Sequence, residues 1–308
     1  MNAPNHSLRG TFPALLTPLT SDCEIAEAVA VRYLTALCAA GVDGVYLGGS
    51  TGEGLLLDAR RRMHLLETLM QALPQGKKML VHVGTGEIES TLALSAHAAR
   101  FGAHAVSSLP PRGNSRTVYT FYERLARESA LPLILYYFPQ VAPEAFPSES
   151  DLFEVCDLPN VFGVKFTDYN LFLLQQLVER GLTVYNGRDE VYGAGLLMGA
   201  SGGIGSTFGV LPQEALAIAT AAQNRDWAAV QSSQNRLNSA LRTWLQYPYL
   251  PALKLTCNQW FGLDLGPVLG ESFTSAEQAS ELSGQLKDLD RTWNFSQVIP
   301  VASCNGSE

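Results

Sequence analysis

Short, continuously apolar segments alternate with longer amphipathic segments along the first two thirds of the chain. The apolar segments predict eight strands, at residues 12–19, 44–49, 78–84, 105–110, 131–139, 161–167, 183–187 and 202–207. Strands that are apolar throughout are typical of a parallel sheet covered on both faces. Eight strand-helix repeats therefore favour an α/β fold, a (β/α)8 TIM barrel, over a doubly wound sheet, which usually has fewer strands.

The segments between the predicted strands carry helix-boundary signals. Asp58 has the side chain and position of an N-cap, followed by an apolar stripe that includes Met63 and Leu66. A second helix is expected to begin at a serine cap, Ser90, and to end at Gly102. Each predicted helix thus lies between two predicted strands, as the barrel requires.

After residue 211 the strand signals stop, and the remaining segments have helical patterns. No linker rich in Pro, Gly or Ser precedes them. We expect residues 1–211 to form the barrel core and residues 212–308 to form C-terminal helices packed on it within the same domain. The tail from Ser296 onward is expected to be loosely ordered.

Composition and charge narrow the class of partner. The 308-residue chain is 46% hydrophobic and has a formal charge of -8, from 21 basic and 29 acidic residues, which argues against nucleic-acid binding and against adhesion to anionic membranes. No uninterrupted apolar stretch approaches the length of a membrane span, and the N-terminus has no apolar signal segment. Five cysteines without C-x-x-C spacing indicate neither a zinc ribbon nor a disulfide framework. We therefore expect a cytoplasmic protein that acts on a small molecule.

The stretch "GGSTGEG" follows the second predicted strand and presents Ser50 and Thr51 among glycines. It fits the G-x-S-x-G pattern of a nucleophilic serine, but the last histidine is His104, so the base and acid would have to come from the next two strand-helix units, which is cramped for that fold. No phosphate-binding G-x-x-x-x-G-K-[ST] string occurs. Two interpretations remain: a turn whose hydroxyls cap the next helix, or a neutral cradle of hydroxyls and amides for a carboxylate.

Lys165 is the one lysine within an apolar predicted strand, "VFGVKFT". Desolvation there disfavours the ammonium form and leaves an amine able to attack a carbonyl, which indicates a Schiff-base lysine. The alternative, a lysine reaching solvent from an edge strand, fits poorly because a barrel has no edges. One strand earlier, either Tyr136 or Tyr137 faces the barrel axis, since strand residues alternate sides. That phenol is either a proton relay or ordinary aromatic packing.

Polar residues also follow the last two predicted strands. Asp189 and Glu190 come after strand seven, and with no histidine nearby they favour hydrogen bonds to sugar hydroxyls over a metal site. Ser206 follows strand eight, among glycines that allow close approach of a ligand. All of these positions lie at the C-terminal ends of strands, where TIM barrels place their active sites.

Five motifs, "GGSTGEG", "YYFP", "GVKFTD", "YNGRDE" and "GASGGIGST", resemble in order and spacing the pyruvate-dependent class I aldolase family that contains N-acetylneuraminate lyase and dihydrodipicolinate synthase. The resemblance covers residues 8–290. It implies that Lys165 forms the Schiff base, that Tyr136 relays protons, and that Ser50 and Thr51 hold the pyruvate carboxylate. It further implies that the sugar-acid chain is held by Thr167, Gly187, Asp189, Glu190 and Ser206.

The resemblance implies cleavage of a 2-oxo-4-hydroxy sugar acid to pyruvate and an aldose, with N-acetylneuraminate as the leading substrate. It implies a homotetramer and no metal or organic cofactor, because the iminium ion serves as the electron sink. A 2-keto-3-deoxy sugar acid aldolase or dehydratase is the nearest alternative. A dihydrodipicolinate synthase is disfavoured, since Gln140 follows "YYFP" where the synthases carry an arginine. A catalytically silent barrel that binds keto acids is the alternative of a different class. Arg112, Gln140 and Arg188 receive no predicted role.

Overall fold

The computed structural model describes residues 8–298, which form a barrel of eight parallel strands surrounded by helices. The strands are β1 Gly10–Pro13, β2 Gly44–Leu47, β3 Lys78–His82, β4 Ala105–Ser108, β5 Leu133–Tyr137, β6 Val161–Phe166, β7 Thr183–Asn186 and β8 Gly202–Gly205. Their order is β1-β8-β7-β6-β5-β4-β3-β2, and a parallel bridge between Ala14 and Tyr46 joins β1 to β2. The predicted (β/α)8 TIM barrel with a C-terminal helical extension is confirmed.

Helices follow each strand and continue beyond the last one. They are α1 Glu27–Ala40, α2 Ala59–Ala72, α3 Ile88–Arg100, α4 Ser115–Glu128, α5 Glu149–Cys156, α6 Leu171–Glu179, α7 Tyr192–Leu197, α8 Pro212–Gln223, α9 Trp227–Trp244, α10 Tyr249–Phe261 and α11 Ala276–Trp293. Short 3-10 helices occupy Asp189–Val191, Thr207–Gly209 and Phe295–Val298. Within the described residues, no helix is both long and apolar enough to cross a membrane.

The first predicted strand, 12–19, is longer than the observed β1. Beyond Pro13 the parallel ladder continues only as an isolated bridge between Ala14 and Tyr46, where Ala14 N donates to Gly205 O and Leu15 N donates to Tyr46 O. Leu16 and Leu19 are apolar because they are buried in the layer outside the sheet, not because they belong to a strand.

The helix caps confirm one prediction and correct another. The Asp58 side chain accepts a hydrogen bond from Arg61 N at 2.8 Å, as its sequence position predicts. The expected serine cap at Ser90 is wrong, because α3 already begins at Ile88. The preceding turn is instead held by Thr85, whose hydroxyl accepts from Glu87 N at 3.2 Å.

Side chains alternate between the barrel interior and the layer between sheet and helices. On β6, Val164 and Phe166 pack in the outer layer, so Lys165 between them points into the barrel. On β5, Ile134 belongs to the inner cluster with Tyr46 and other strand residues. The continuously apolar strands thus have both faces covered, one by the inner cluster and one by the helices.

The C-terminal helices are fastened to the loops near the C-terminal ends of the strands. Lys254 of α10 donates from its amine to the backbone oxygens of Thr17 at 2.7 Å and Leu265 at 3.1 Å. Glu53, in the loop after β2, accepts from Leu269 N at 2.7 Å and Gly270 N at 2.9 Å. These bonds hold the C-terminal segment next to the "GGSTGEG" loop. The division of the chain at residue 211 stays a prediction, and most of the tail from Ser296 lies outside the described residues.

Candidate active site

The Lys165 amine lies within the barrel against two aromatic rings. The register of β5 and β6 pairs Tyr136 directly with Lys165. Lys165 Nζ lies 3.9 Å from the centroid of the Tyr136 ring and 4.6 Å from that of Tyr46. The lysine is 4% exposed, so the rings shield its amine from bulk water on the sides they cover.

The structure distinguishes between the two adjacent tyrosines of β5. Tyr136 is 2% exposed and faces the barrel interior. The Tyr137 ring lies in the outer layer, stacked on Phe166 at 5.2 Å between centroids. Tyr136 is therefore the phenol that accompanies Lys165.

The loop after β2 brings two hydroxyls to the same region. Ser50 Oγ lies 3.4 Å from the Tyr136 hydroxyl. Thr51 Oγ1 lies 2.6 Å from Ser206 Oγ, which follows β8 on the opposite side of the closure. Steric crowding explains a glycine in this loop, because a Cβ on Gly54 would lie 1.8 Å from Gly48 O. The loop can therefore fold tightly enough to present both hydroxyls to the barrel mouth.

A second group of polar residues follows β6 and β7. Asp189 is 6% exposed and accepts from Thr207 N at 2.7 Å. Burial raises the pKa of Asp189 from 3.8 to about 6, although the hydrogen bonds from Thr207 oppose the shift. Glu190, its neighbour, accepts a hydrogen bond from the Tyr169 hydroxyl. Two carboxyl groups in different environments therefore lie side by side, one buried and one at the rim.

Thr167 and Gly187 contribute to the same wall. Thr167 Oγ1 is buried without a hydrogen-bond partner among the described residues. A Cβ on Gly187 would lie 2.2 Å from Thr167 Oγ1, so only glycine fits beside this hydroxyl. An unsatisfied buried hydroxyl costs on the order of 1–3 kcal/mol unless a ligand or water satisfies it. Thr167 is thus suited to hydrogen-bonding a ligand.

These groups surround a single cavity of about 430 Å³. All nine residues predicted from the sequence line it: Ser50, Thr51, Tyr136, Lys165, Thr167, Gly187, Asp189, Glu190 and Ser206. The structure thus brings together residues from five separate loops and strands. Their individual roles stay predictions.

Seven other residues line the cavity that sequence reasoning did not select: Phe138, Arg188, Ile204, Leu241, Leu245, Tyr249 and Leu250. Phe138 and Arg188 lie inside two of the recognised motifs, close in sequence to Tyr136 and Asp189. Their position in the sequence could therefore have predicted that they line the site. The lining residues in and next to α9 and α10 could not be predicted in this way, because their apolar spacing is typical of any packed amphipathic helix.

Another cavity, of about 470 Å³, lies at the opposite end of the barrel, where β1 and β8 begin. Arg9, Thr11 and Asp43 line it. None of the nine residues predicted for the site lines it. Because TIM barrels place their chemistry at the C-terminal ends of the strands, the cavity around Lys165 is the active-site candidate.

The serine-nucleophile alternative lacks a base in this structure. No histidine lines the cavity among the described residues. His82, within the barrel, is neutralised by burial, which lowers its pKa well below the ordinary value, and its Nε2 accepts from Leu109 N at 3.0 Å. Across residues 8–298, no three His, Cys, Asp or Glu side chains cluster closely enough to hold a metal ion. The Ser50 hydroxyl therefore lies beside a phenol, Tyr136, and not beside an imidazole.

A buried lysine amine, a facing phenol and a hydroxyl cradle at the mouth of a TIM barrel define a class of enzyme, the class I aldolases that form imines with keto acids. The chain belongs to the dihydrodipicolinate synthetase family, which its residues 7–287 match. The prediction of a pyruvate-dependent class I aldolase, a carbon-carbon lyase, is confirmed by this family and by the relatives described next.

Two curated relatives indicate the branch of the family. The chain is 34% identical over 242 residues to the N-acetylneuraminate lyase of Rhizobium meliloti (strain 1021), covering 76% of this chain and 80% of that one. It is 29% identical over 276 residues to N-acetylneuraminate lyase 2 of Escherichia coli O6:H1, covering 88% and 90%.

Solved structures agree in fold. The N-acetylneuraminate lyase from Mycoplasma synoviae superposes with a TM-score of 0.83 at 26% identity, covering 92% of this chain and 97% of that one. A sialic acid aldolase from Ruminococcus gnavus superposes with a TM-score of 0.85 at 21% identity, covering 93% and 99%, and shows the shared fold alone.

Proposed function

We propose that the enzyme cleaves N-acetylneuraminate to pyruvate and N-acetylmannosamine, with Lys165 as the imine-forming residue. The observation that carries the proposal is the position of the Lys165 amine, 3.9 Å from the Tyr136 ring centroid in a cavity that also presents Ser50 and Thr51. The substrate identity is supported by the curated relatives, which are named N-acetylneuraminate lyases.

The first half of the reaction attaches the substrate. The Lys165 amine attacks the C2 carbonyl of the open-chain acid, and loss of water gives an iminium ion. The adjacent carboxylate accepts hydrogen bonds from Ser50 and Thr51. Because Thr51 also contacts Ser206 at 2.6 Å, this cradle is tied across the barrel closure and is rigid before substrate arrives.

The second half breaks the carbon-carbon bond. The C4 hydroxyl loses its proton through the Tyr136 phenol and the substrate carboxylate, C4 becomes the aldehyde of the departing aldose, and the C3–C4 electron pair moves to the imine nitrogen. The resulting enamine takes up a proton at C3, and water hydrolyses the iminium to release pyruvate and regenerate the amine. The Ser50 hydroxyl, 3.4 Å from the Tyr136 hydroxyl, is placed to orient that phenol.

The remaining predicted residues hold the hydroxylated end of the acid. The Asp189 and Glu190 carboxylates accept from substrate hydroxyls, and the unpartnered Thr167 hydroxyl gains a partner when the ligand binds. Gly187 leaves room for that contact, since any side chain would meet Thr167 Oγ1. Ser206 links this end of the site to the carboxylate cradle.

The test is chemical trapping. Incubation with pyruvate and sodium borohydride, followed by peptide mapping, should give a reduced pyruvyl adduct on Lys165 and none on Lys254, the other lysine buried among the described residues. The Lys165→Arg variant should give no adduct and no pyruvate from N-acetylneuraminate. Absence of the adduct on wild-type Lys165 would overturn the mechanism. Release of pyruvate from 2-keto-3-deoxy sugar acids but not from N-acetylneuraminate would instead correct the substrate.

We also propose a homotetramer, as the family resemblance implies, and a cytoplasmic location, which five cysteines without disulfide or zinc-ribbon spacing favour. Leu55 and Leu56, each 56% exposed, are apolar side chains that a neighbouring subunit would cover. Light scattering after size-exclusion chromatography should give about four times the 33.3 kDa chain mass. A monomer mass would overturn this assembly.

A further inference from the structure

Arg188 is a cavity residue to which neither the motifs nor the proposed mechanism gives a role. It is the second residue after the end of β7 and lies between Gly187 and Asp189 in the chain. Its guanidinium stacks on two rings, 5.4 Å from the centroid of Phe138 and 4.6 Å from that of Tyr169. Contacts with two aromatic faces restrict the positions that the guanidinium can take and favour a partly preorganised hydrogen-bonding group.

The guanidinium is incompletely satisfied by the protein. Its Nε is buried without a hydrogen-bond partner among the described residues. Its Nη1 lies 4.0 Å from Glu190 Oε1, beyond hydrogen-bond distance, and that same oxygen is engaged by Tyr169. Because Nε is buried, the donors that a ligand in the cavity can reach are those of the two Nη groups, for which the described residues supply no hydrogen-bond acceptor.

The aromatic stack places Arg188 at the far end of the cavity from the amine. The Lys165 amine lies over the Tyr136 ring, the Tyr136 ring stacks on Phe138 at 5.9 Å, and Arg188 lies over Phe138. A substrate joined to Lys165 through C2 and extending along this aromatic wall would bring its other end to the guanidinium.

The charge balance decides what kind of group Arg188 binds. Asp189 and Glu190 supply two carboxyl groups at this end, and Arg188 supplies one positive charge. Above about pH 6, where Asp189 is ionised, a second carboxylate or phosphate on the substrate would meet a net negative wall. Neutral oxygen atoms are the acceptors that fit.

We propose that Arg188 is a specificity-determining residue that, together with Glu190, binds the terminal vicinal diol of the sugar acid. One hydroxyl donates to the Glu190 carboxylate, and the oxygen of its neighbour accepts from the guanidinium. The 4.0 Å separation of Arg188 Nη1 and Glu190 Oε1 lets adjacent hydroxyls contact both groups. This inference rests on the proposed function, because it assumes that the acid is joined to Lys165.

The experiment compares two substrates on three variants. The substrates are N-acetylneuraminate and its seven-carbon analogue, which retains the acetamido group and the C4 hydroxyl but lacks the C8–C9 diol. The analogue is made from the methyl glycoside by periodate cleavage and borohydride reduction, and acid hydrolysis then restores the C2 carbonyl. The variants are Arg188→Leu, Arg188→Lys and the control Arg180→Leu. Arg180 also stacks on an aromatic ring, Phe153 at 4.5 Å, and pairs with an acid, Asp157, but does not line the cavity.

For Arg188→Leu we expect kcat/KM on the full-length acid to fall roughly 10- to 100-fold, the effect of one charged hydrogen bond. On the truncated acid it should fall by less than about threefold. For Arg188→Lys the loss of kcat/KM on the full-length acid should be intermediate, because lysine keeps the positive charge but not the planar guanidinium. Arg180→Leu should change neither value.

An equal loss on both acids, or no loss on either, would overturn the role of Arg188. Borohydride trapping of pyruvate on Lys165 is measured for each variant, because pyruvate does not reach the far end of the cavity. If the adduct forms normally while the discrimination is absent, the inference fails and the proposed function stands. If wild-type protein forms no adduct, the proposed function fails and the inference fails with it.

Discussion

Lys165 and Tyr136 are direct partners in the parallel pairing of β5 and β6, and the amine of one lies 3.9 Å from the ring centroid of the other. The pairing is set by backbone hydrogen bonds, so the amine and the ring face each other without depending on a flexible loop. Active-site groups carried on strands of a barrel are held more precisely than groups on loops. In the proposed mechanism, this relationship brings the imine-forming amine and the proton-transferring phenol to the same substrate carbon chain.

Replacing Tyr136 with Phe should separate the two steps. We expect pyruvate trapping on Lys165 to continue, whereas kcat for cleavage should fall by roughly two to four orders of magnitude, the contribution of a general acid-base group. Tyr137→Phe is the matched control, since that ring lies in the outer layer against Phe166. Turnover that is unchanged in Tyr136→Phe, or reduced equally in both variants, would remove Tyr136 from the proton relay.

Replacing Glu190 with Gln tests recognition of the hydroxylated chain. Loss of the charged acceptor should raise KM roughly tenfold or more for long polyol acids and much less for short ones. Tyr169→Phe serves as the comparison, because it removes the hydrogen bond that Tyr169 donates to Glu190 and leaves the carboxylate in place. An equal rise of KM for long and short acids would show that the carboxylate is structural.

Asp189 should make the free energy of unfolding depend on pH. Burial raises its pKa from 3.8 to about 6, so between these values the folded state binds more protons than the unfolded state. Its contribution to stability therefore falls as pH rises from about 4 to about 6 and is constant above that range. The full difference is roughly 3 kcal/mol.

Asp189→Asn should remove this slope while keeping an acceptor for Thr207 N. The measurement is urea unfolding of both proteins between about pH 4 and about pH 7, with the difference between them taken at each pH. Other titrating groups are common to both proteins and cancel in that difference. Parallel stability curves would contradict the buried, protonatable state of Asp189.

Replacing Gly187 with Ala should damage the site through sterics alone. The new Cβ would lie 2.2 Å from Thr167 Oγ1 and 3.0 Å from Phe166 O, so the wall must shift. We expect a loss of about 1–3 kcal/mol in the free energy of unfolding, as for other overpacked sites, together with a raised KM. Gly284→Ala, in helix α11 with no atom within 4 Å of the new Cβ, should not lower stability. Equal stability of the two variants would show that Thr167 yields without cost.

Much of the fold follows from local pattern. Segments such as residues 161–167 are almost entirely apolar because both faces of β6 are covered. The strand can therefore be predicted from the sequence without knowing which elements cover it. The ends of the strands are harder to predict. Residues 12–19 show this, because Leu16 and Leu19 are buried outside the sheet and extend the apolar segment beyond β1. The predicted start of α3 at Ser90 is wrong for a similar reason. The position of a helix cap depends on where the chain turns and not on the residue type alone.

Some residues of the candidate site could likewise be predicted from local sequence, and others could not. Lys165 is recognisable because a lysine inside an apolar strand is chemically unusual, and Asp189 and Glu190 are recognisable because they follow a strand in a barrel. Tyr136 and Tyr137 could not be separated by pattern alone, because strand alternation fixes that they face opposite sides but not which side is inside. The family motif chose Tyr136, and the packing of Tyr137 on Phe166 agrees.

The amino-acid sequence by itself determined the eight strand-helix units and the buried lysine, because each depends on a residue and its near neighbours. The family motifs in the same sequence completed the set of nine residues around the cavity. Only the tertiary structure decided that Thr51 meets Ser206, that Arg188 stacks over Phe138, and that α9 and α10 cover the mouth. Those relationships join segments far apart in the chain. They depend on how the barrel closes and how the C-terminal helices dock, which the alternation of apolar and polar residues does not encode.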